Sequence, residues 1–154
     1  MRSTSLSAPR QRWCRFGVLG CVAMLAGAFW LQFKWDLEPC PLCIFQRLVF
    51  FALLFWWGVG SVHPTLRRGD VVYYVGSAAL ALVGMGLAGR HVWLQHLPAS
   101  EVPACGPGLD FMLEALPLWD TLRRVLQGSG ECAKVEWTLW GMSIPQLTLI
   151  VFVV

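Results

Sequence analysis

The sequence predicts an all-α membrane protein, a four-transmembrane-helix bundle with a short amphipathic interfacial helix in its long outer loop. Three observations carry this. Of the 154 residues, 56% are hydrophobic and only 14% are charged, too apolar a balance for an ordinary soluble domain. The apolar residues gather in four runs, 16–33, 44–62, 71–89 and 137–154, each about 27 Å long as a helix, close to the hydrocarbon thickness of a bilayer. The runs do not alternate as the strands of a lipid-facing barrel must.

The elements follow in order within one membrane domain, 1–154. Residues 1–12 are polar and basic and read as a frayed tail. The first run has a basic start and flows into Trp30-Leu31-Gln32-Phe33 without a polar break, so it is expected to stay as a helix rather than be cleaved. The second opens at Pro41, a residue suited to the first helical position, and is broken at Val62-His63-Pro64-Thr65. The third is rich in small residues, with Ser77/Ala81 and Gly84/Ala88 at the spacing that lets membrane helices approach closely. In the fourth, Gly141, Ser143 and Pro145 delay the helix, giving a span of about 141–154 that looks truncated. Between the third and fourth, Pro117 to Gln127 reads as a short helix, with Asp120 early, Arg123 and Arg124 late and Gly128 after it. Leu118, Trp119, Leu122, Val125 and Leu126 form an apolar flank suited to the membrane surface.

Charge sets the orientation. Arg2, Arg10, Arg12 and Arg15 precede the first helix with no acid among them, and Arg67 and Arg68 face a single Asp70 in the short loop between the second and third helices. The positive-inside rule puts both on the cytoplasmic side. Loops 34–43 and 90–140 then share the outer face, where Trp30, Trp35, Trp93, Trp137 and Trp140 mark an interfacial belt. The net charge of +3 is too small and too dispersed to signal nucleic acid.

The chemistry centres on Pro39-Cys40-Pro41-Leu42-Cys43-Ile44-Phe45-Gln46-Arg47. A Cys-x-x-Cys pair closes a small ring and exchanges readily with other thiols. Cys43 falls in the first helical turn, where amides and dipole favour a thiolate. Arg47 lies one turn deeper, a costly position for a cation without a task. A structural disulfide or half of a zinc site are the plainer readings of this pair. Two further cysteines, Cys105 and Cys132, sit in Gly-rich stretches of the long outer loop and are expected to pair there as a mobile disulfide. Cys14 and Cys21 read as apolar packing. His91, at the outer end of the third helix, is more often a merely interfacial residue, although it can donate a hydrogen bond to a ligand carbonyl. A Cys₄ zinc site is the alternative for the four outer thiols, but structural zinc usually takes two close pairs, which Cys105 and Cys132 are not. No metal is expected. The reading that uses every feature is a relay in which an outer disulfide takes electrons from a partner's thiols and hands them to the Cys40–Cys43 pair. A membrane quinone is the natural acceptor.

Cys40-Pro-Leu-Cys43 with Arg47, Leu94-Gln95, Cys105, Ser129-Gly130-Glu131-Cys132-Ala133 before Trp137, and Gly141-Met142-Ser143-Ile144-Pro145-Gln146 together resemble the bacterial disulfide bond formation protein B family. The resemblance implies a monomeric inner-membrane thiol:quinone oxidoreductase that reoxidises a periplasmic DsbA-like thiol oxidase and reduces ubiquinone or menaquinone. It implies redox pairs Cys40–Cys43 and Cys105–Cys132. Cys105 would meet the partner, Cys132 would exchange with Cys40, Cys43 would face the quinone, and Arg47 and His91 would contact it. Gln46 departs from relatives that carry an acid there. A structural or zinc-binding membrane protein without turnover is the alternative of another class. The vitamin K epoxide reductases also couple a dithiol to a quinone, but usually carry their Cys-x-x-Cys late in the bundle.

Overall fold

The first long helix of the computed structural model, α1, runs Ser7–Trp35 and is followed by α2, Pro41–Val62, and α3, Arg67–Gln95. Then come α4 (Leu109–Ala115), α5 (Leu118–Gln127), α6 (Gly130–Ala133), a hairpin of two-residue strands β1 (Thr138–Leu139) and β2 (Met142–Ser143), and α7 (Ile144–Val153). The structure describes residues 7–63, 67–98, 100–106 and 109–153. Arg2, Pro64, Thr65 and Pro107-Gly108, used in reading the sequence, lie outside the described residues, as do the side chains of Arg67 and Arg68.

Among the described residues, three helices are long and apolar enough to cross a membrane: Arg10–Trp35, Pro41–Val62 and Gly69–Gln95. Their large apolar side chains point outward, Phe16, Phe33 and Phe55 among them, as lipid-facing residues do and as a water-soluble protein avoids over so large an area. The protein is therefore an all-α membrane protein. The fourth apolar helix, α7, is 10 residues long, less than the ~20 that span a bilayer. It begins at Ile144 because the chain before it turns back as a hairpin, pairing Thr138 with Ser143 and Leu139 with Met142. Trp140 and Gly141 take positive φ, 51° and 79°, the signature of a two-residue primed turn.

The contacts divide the chain into two units. In one, made of residues 1–36 and 47–83, Trp57 Nε1 donates to Ser77 Oγ at 2.8 Å and Trp56 Nε1 to the Tyr73 carbonyl at 3.2 Å. The small residues of α3 make room for these indoles: a Cβ on Gly76 would overlap the Trp56 ring. Arg10 is not part of a frayed tail. It is helical and buried, its Nε 2.9 Å from Asp70 Oδ1, its Nη2 donating to the His63 carbonyl at 2.6 Å and its guanidinium over the Tyr73 ring. A buried charge needs such partners. His63 is exposed and meets the Tyr73 hydroxyl at 3.1 Å. Arg47 donates to Gln32 Oε1 at 2.5 Å and to the Ala28 carbonyl at 3.4 Å, and lies over the Phe29 ring. Its depth in α2 is thus met by hydrogen bonds to α1. Cys14 and Cys21 are buried, in keeping with packing.

The other unit comprises residues 37–46 and 84–154. Here α5 docks on the end of α3. Arg90 donates to the carbonyls of Leu126 (3.1 Å) and Gln127 (2.9 Å), satisfying the open C-terminus of α5, and stacks on Trp93. Thr121 and Val125 face inward, while Leu118, Trp119 and Leu126 are exposed. The exposed apolar flank is therefore narrower than the sequence suggested, because Val125 belongs to the core. Gly128, at φ +83°, turns the chain away where a Cβ would overlap the wholly buried Leu94.

Candidate redox site

Helix α2 begins at Pro41, so Cys40 is its N-cap and Cys43 its third residue. The Cys43 N–H donates to Cys40 Sγ at 3.3 Å, the position an N-cap oxygen usually fills. The Leu42 N–H serves the Cys132 sulfur in the same way. The open amides of α2 therefore fall on Cys40 and Cys132, although the sequence reading credited them to Cys43. This is a consequence of Pro41 at the first position, which leaves the next two N–H groups pointing back along the axis.

Cys132 reaches this point from α6, a single turn after Gly128-Ser129. Gly130 is needed here, since a Cβ would press on the Pro103 carbonyl and on Cys105 Sγ. The Gly130 N–H donates to the Ala104 carbonyl at 3.4 Å, which holds the segment carrying Cys105 alongside. The sequence-predicted residues thus separate into two groups. Cys40, Cys43, Cys132 and His91 come together: Cys40 Sγ is 3.0 Å from Cys43 Sγ and 3.7 Å from His91 Nε2, and Cys43 Sγ is 4.0 Å from His91 Nδ1. The ligand atoms of Cys40, His91 and Cys132 all lie within 4.8 Å of one another. Cys105, by contrast, is exposed beside Gly130. All six cysteines carry free thiols in this structure.

Burial grades the three clustered sulfurs. Cys132 is 1% exposed and Cys40 9%, while Cys43 is half-buried. The Cys132 thiol donates to Cys40 and favours the Cys40 thiolate, but the adjacent Cys43 thiol and burial outweigh this and push Cys40 above the usual thiol range. Cys132 is pushed up by the same hydrogen bond and by burial. Each is a poor nucleophile until a proton leaves the pair.

One group was missed as a functional residue. Gln46 is 3% exposed, and its Nε2 lies 3.3 Å from His91 Nδ1. Thr148 Oγ1 from α7 donates to Gln46 Oε1 at 2.9 Å. An amide deep in an apolar helix needs such partners, and that was the available signal.

A helical membrane protein with a Cys-x-x-Cys at a helix mouth and a third thiol packed on it is a membrane thiol oxidoreductase, built to make or exchange disulfide bonds. The family model described as "Disulfide bond formation protein DsbB" matches residues 10–154. Disulfide bond formation protein B of Chromohalobacter salexigens is 52% identical over 142 residues, covering 92% of this chain and 83% of that protein. The protein of the same name from Methylococcus capsulatus is 46% identical over 96% of this chain and 90% of its own length. Disulfide bond formation protein B 1 of Pseudomonas aeruginosa is 42% identical over the same shares. The chain belongs to the DsbB family of disulfide bond formation proteins.

Proposed function

We propose that this protein is a thiol:quinone oxidoreductase of the bacterial inner membrane, N-terminus cytoplasmic and redox cysteines periplasmic, that reoxidises a DsbA-like thiol oxidase. The observation that carries the reading is the contact of Cys132 with Cys40 at the mouth of α2. A relay needs the long-loop cysteine beside the helix-end pair.

The resting protein holds Cys40–Cys43 and Cys105–Cys132 as disulfides and works as a monomer. Cys105, the exposed sulfur, accepts attack by the partner's thiolate: a mixed disulfide forms and Cys132 leaves as thiolate. Cys132 then attacks Cys40, forming Cys40–Cys132 and releasing Cys43. The partner's second thiol attacks its own sulfur in the mixed disulfide, frees Cys105 and departs oxidised. Cys105 reopens Cys40–Cys132 at Cys132 and restores the Cys105–Cys132 bond, so that Cys40 and Cys43 carry the two electrons and a shared proton.

The donor set fits a quinone. Cys43 is the half-buried sulfur of the clustered three, with the His91 ring beside it. When bound, ubiquinone or menaquinone supplies a two-electron, two-proton acceptor. His91, whose Nδ1 faces Gln46, would be the ring available to hydrogen-bond a quinone carbonyl. Arg47, four residues beyond Cys43 on α2, offers a planar cation for developing negative charge.

Quinone reduction by the protein in detergent, driven by a reduced periplasmic thiol oxidase, tests the reading. Turnover is expected with wild type and its loss with Cys43→Ser. Absence of turnover in a folded, fully oxidised preparation, with either quinone, sinks it.

A further inference from the structure

Cys40, Cys132 and His91 are all buried, and their ligand atoms lie within 4.8 Å of one another. Cys43 lies just outside this cluster, its Sγ 3.0 Å from Cys40 Sγ and 4.0 Å from the other ring nitrogen of His91, Nδ1, and becomes a fourth donor if its side chain swings away from Cys40 toward the ion. A tetrahedral zinc-type ion, with metal–sulfur bonds of ~2.3 Å and metal–nitrogen bonds of ~2.0 Å, holds neighbouring donor atoms roughly 3.5–3.8 Å apart. The Cys40 Sγ to His91 Nε2 separation is 3.7 Å already. Cys40-Pro-Leu-Cys43 has the two-residue spacing of a zinc-binding pair. We propose that in its reduced state this protein binds one thiophilic divalent cation of the zinc group through Cys40, Cys43, Cys132 and His91.

The surroundings suit such an ion. Three thiolates and a divalent cation leave one negative charge. The Leu42 and Cys43 N–H groups already aim at the Cys132 and Cys40 sulfurs, and the start of α2 favours negative charge. A ligating histidine commonly donates its second ring N–H to an oxygen that fixes it. Gln46 supplies that oxygen if its amide turns by half a rotation. Thr148, whose hydroxyl also lies 2.9 Å from the Pro145 carbonyl, can then donate there and accept from the amide. Cys105 takes no part, being exposed and outside the cluster.

Binding exchanges up to three thiol protons for the ion and moves no electrons. A Cys40–Cys43 disulfide removes two donors together, so the oxidised protein has no site. The ion and the disulfide exclude each other, and metal would hold the reduced protein out of turnover. The site needs Cys40, Cys43 and Cys132 all as thiols, the fully reduced state of this structure, which lies outside the steps of the relay above. The proposal rests on the reading of these cysteines as redox-active, and not on the identity of the electron acceptor.

The test uses the full chain in detergent, reduced with a phosphine, freed of reductant under nitrogen and titrated with Co²⁺. One Co²⁺ per chain is expected, with thiolate charge-transfer and tetrahedral ligand-field bands that Zn²⁺ abolishes. Cys105→Ser should bind like wild type. His91→Ala and Gln46→Ala should bind at least ~10-fold more weakly, and Cys132→Ser should lose charge-transfer intensity. Protein oxidised with diamide should give no bands. Circular dichroism of each variant separates lost ligation from lost folding. A reduced wild type without tetrahedral bands overturns the proposal, and so do bands unchanged in both His91→Ala and Cys132→Ser. Thiol-driven quinone reduction in chelator, run on the same preparation, separates the two readings. Turnover without cobalt binding removes the metal site alone. Cobalt binding without turnover removes the relay alone.

Discussion

Thr148 Oγ1 donates to Gln46 Oε1 at 2.9 Å, and Gln46 Nε2 in turn meets His91 Nδ1 at 3.3 Å. Thr148, 102 positions from Gln46 in sequence, therefore supports the ring beside the cysteines through that amide, and all three groups are buried. Thr148→Val removes the hydroxyl without changing the volume much and leaves the amide oxygen unsatisfied, at a cost of ~1–3 kcal/mol. Thermal unfolding in detergent measures it. An unchanged midpoint would mean that the amide finds another partner.

Arg47 is expected to matter for the acceptor and little for exchange at Cys105. Arg47→Ala should weaken quinone reduction, while Arg47→Lys should recover only part of it, because a point charge cannot replace a planar fork. Because Arg47 also holds Gln32 and the Ala28 carbonyl, the Ala variant should unfold more easily. The check is quinone reduction against quinone concentration beside the rate of partner exchange. Equal losses in both rates would make Arg47 a structural residue only.

The raised pKa values of Cys40 and Cys132 give the reduced protein a pH dependence with a defined sign. Folding keeps both thiols protonated, so their contribution to stability is complete below the ordinary thiol pKa of ~8.5 and is lost as pH rises above it. The melting temperature of reduced protein should fall between about pH 8 and 10, and Cys40→Ser/Cys132→Ser protein should lose that slope. Iodoacetamide at pH 7 should modify exposed Cys105 first and leave Cys132, Cys40, Cys14 and Cys21 nearly untouched, as read by peptide mass mapping. Labelling of Cys132 as fast as Cys105 would contradict the packing described above.

Mixed with the oxidised thiol partner, Cys132→Ser should accumulate a covalent adduct through Cys105: the free Cys105 thiolate opens the partner's disulfide, one partner sulfur leaves as thiolate, and no Cys132 remains to resolve the bond. Non-reducing gels report it. An adduct that forms equally well after Cys105→Ser would reverse the proposed order of the two cysteines.

Asp70→Ala should destabilise the protein by ~3–5 kcal/mol, the cost of leaving the buried Arg10 charge without its partner. Arg10→Met/Asp70→Leu should recover much of the loss. If the single and double variants melt alike, the ion pair contributes nothing beyond burial.

The long helices were legible because hydrophobic length is a one-dimensional property, and the late start of α7 was legible from Gly141, Ser143 and Pro145. The four outer cysteines and His91 stood out by residue type and position. Their partition came only from the family resemblance and from no spacing in the chain. That Cys132 meets Cys40, with Cys105 left outside, depends on the turn at Gly128 and on Arg90 closing α5, neither of which has a spacing rule. Helix α4 escaped notice because Leu109–Ala115 is too short for a clear period, although Asp110 in its first turn was a start signal. The Arg10–Asp70 pair joins residues 60 apart in sequence, and charge counting gives the side of the membrane without giving the partner. Gln46 drew notice as a departure from relatives, when its burial opposite His91 is what gives it a role.

Arg90's grip on the last carbonyls of α5 turns the segment after Gln127 into a leash. Cys132 lies five residues beyond Gln127, and five extended residues span at most about 17 Å. While that anchor holds, the sulfur can visit only points within this radius of the α5 terminus. Cys40 is a neighbour of its present position and Cys105 Sγ lies beside Gly130 on the same leash, so in the proposed relay a short swing of Ser129 to Cys132 would serve both without displacing α5. Loosening the anchor, as Arg90→Ala would, widens the search volume and dilutes the thiol at its target without touching a cysteine.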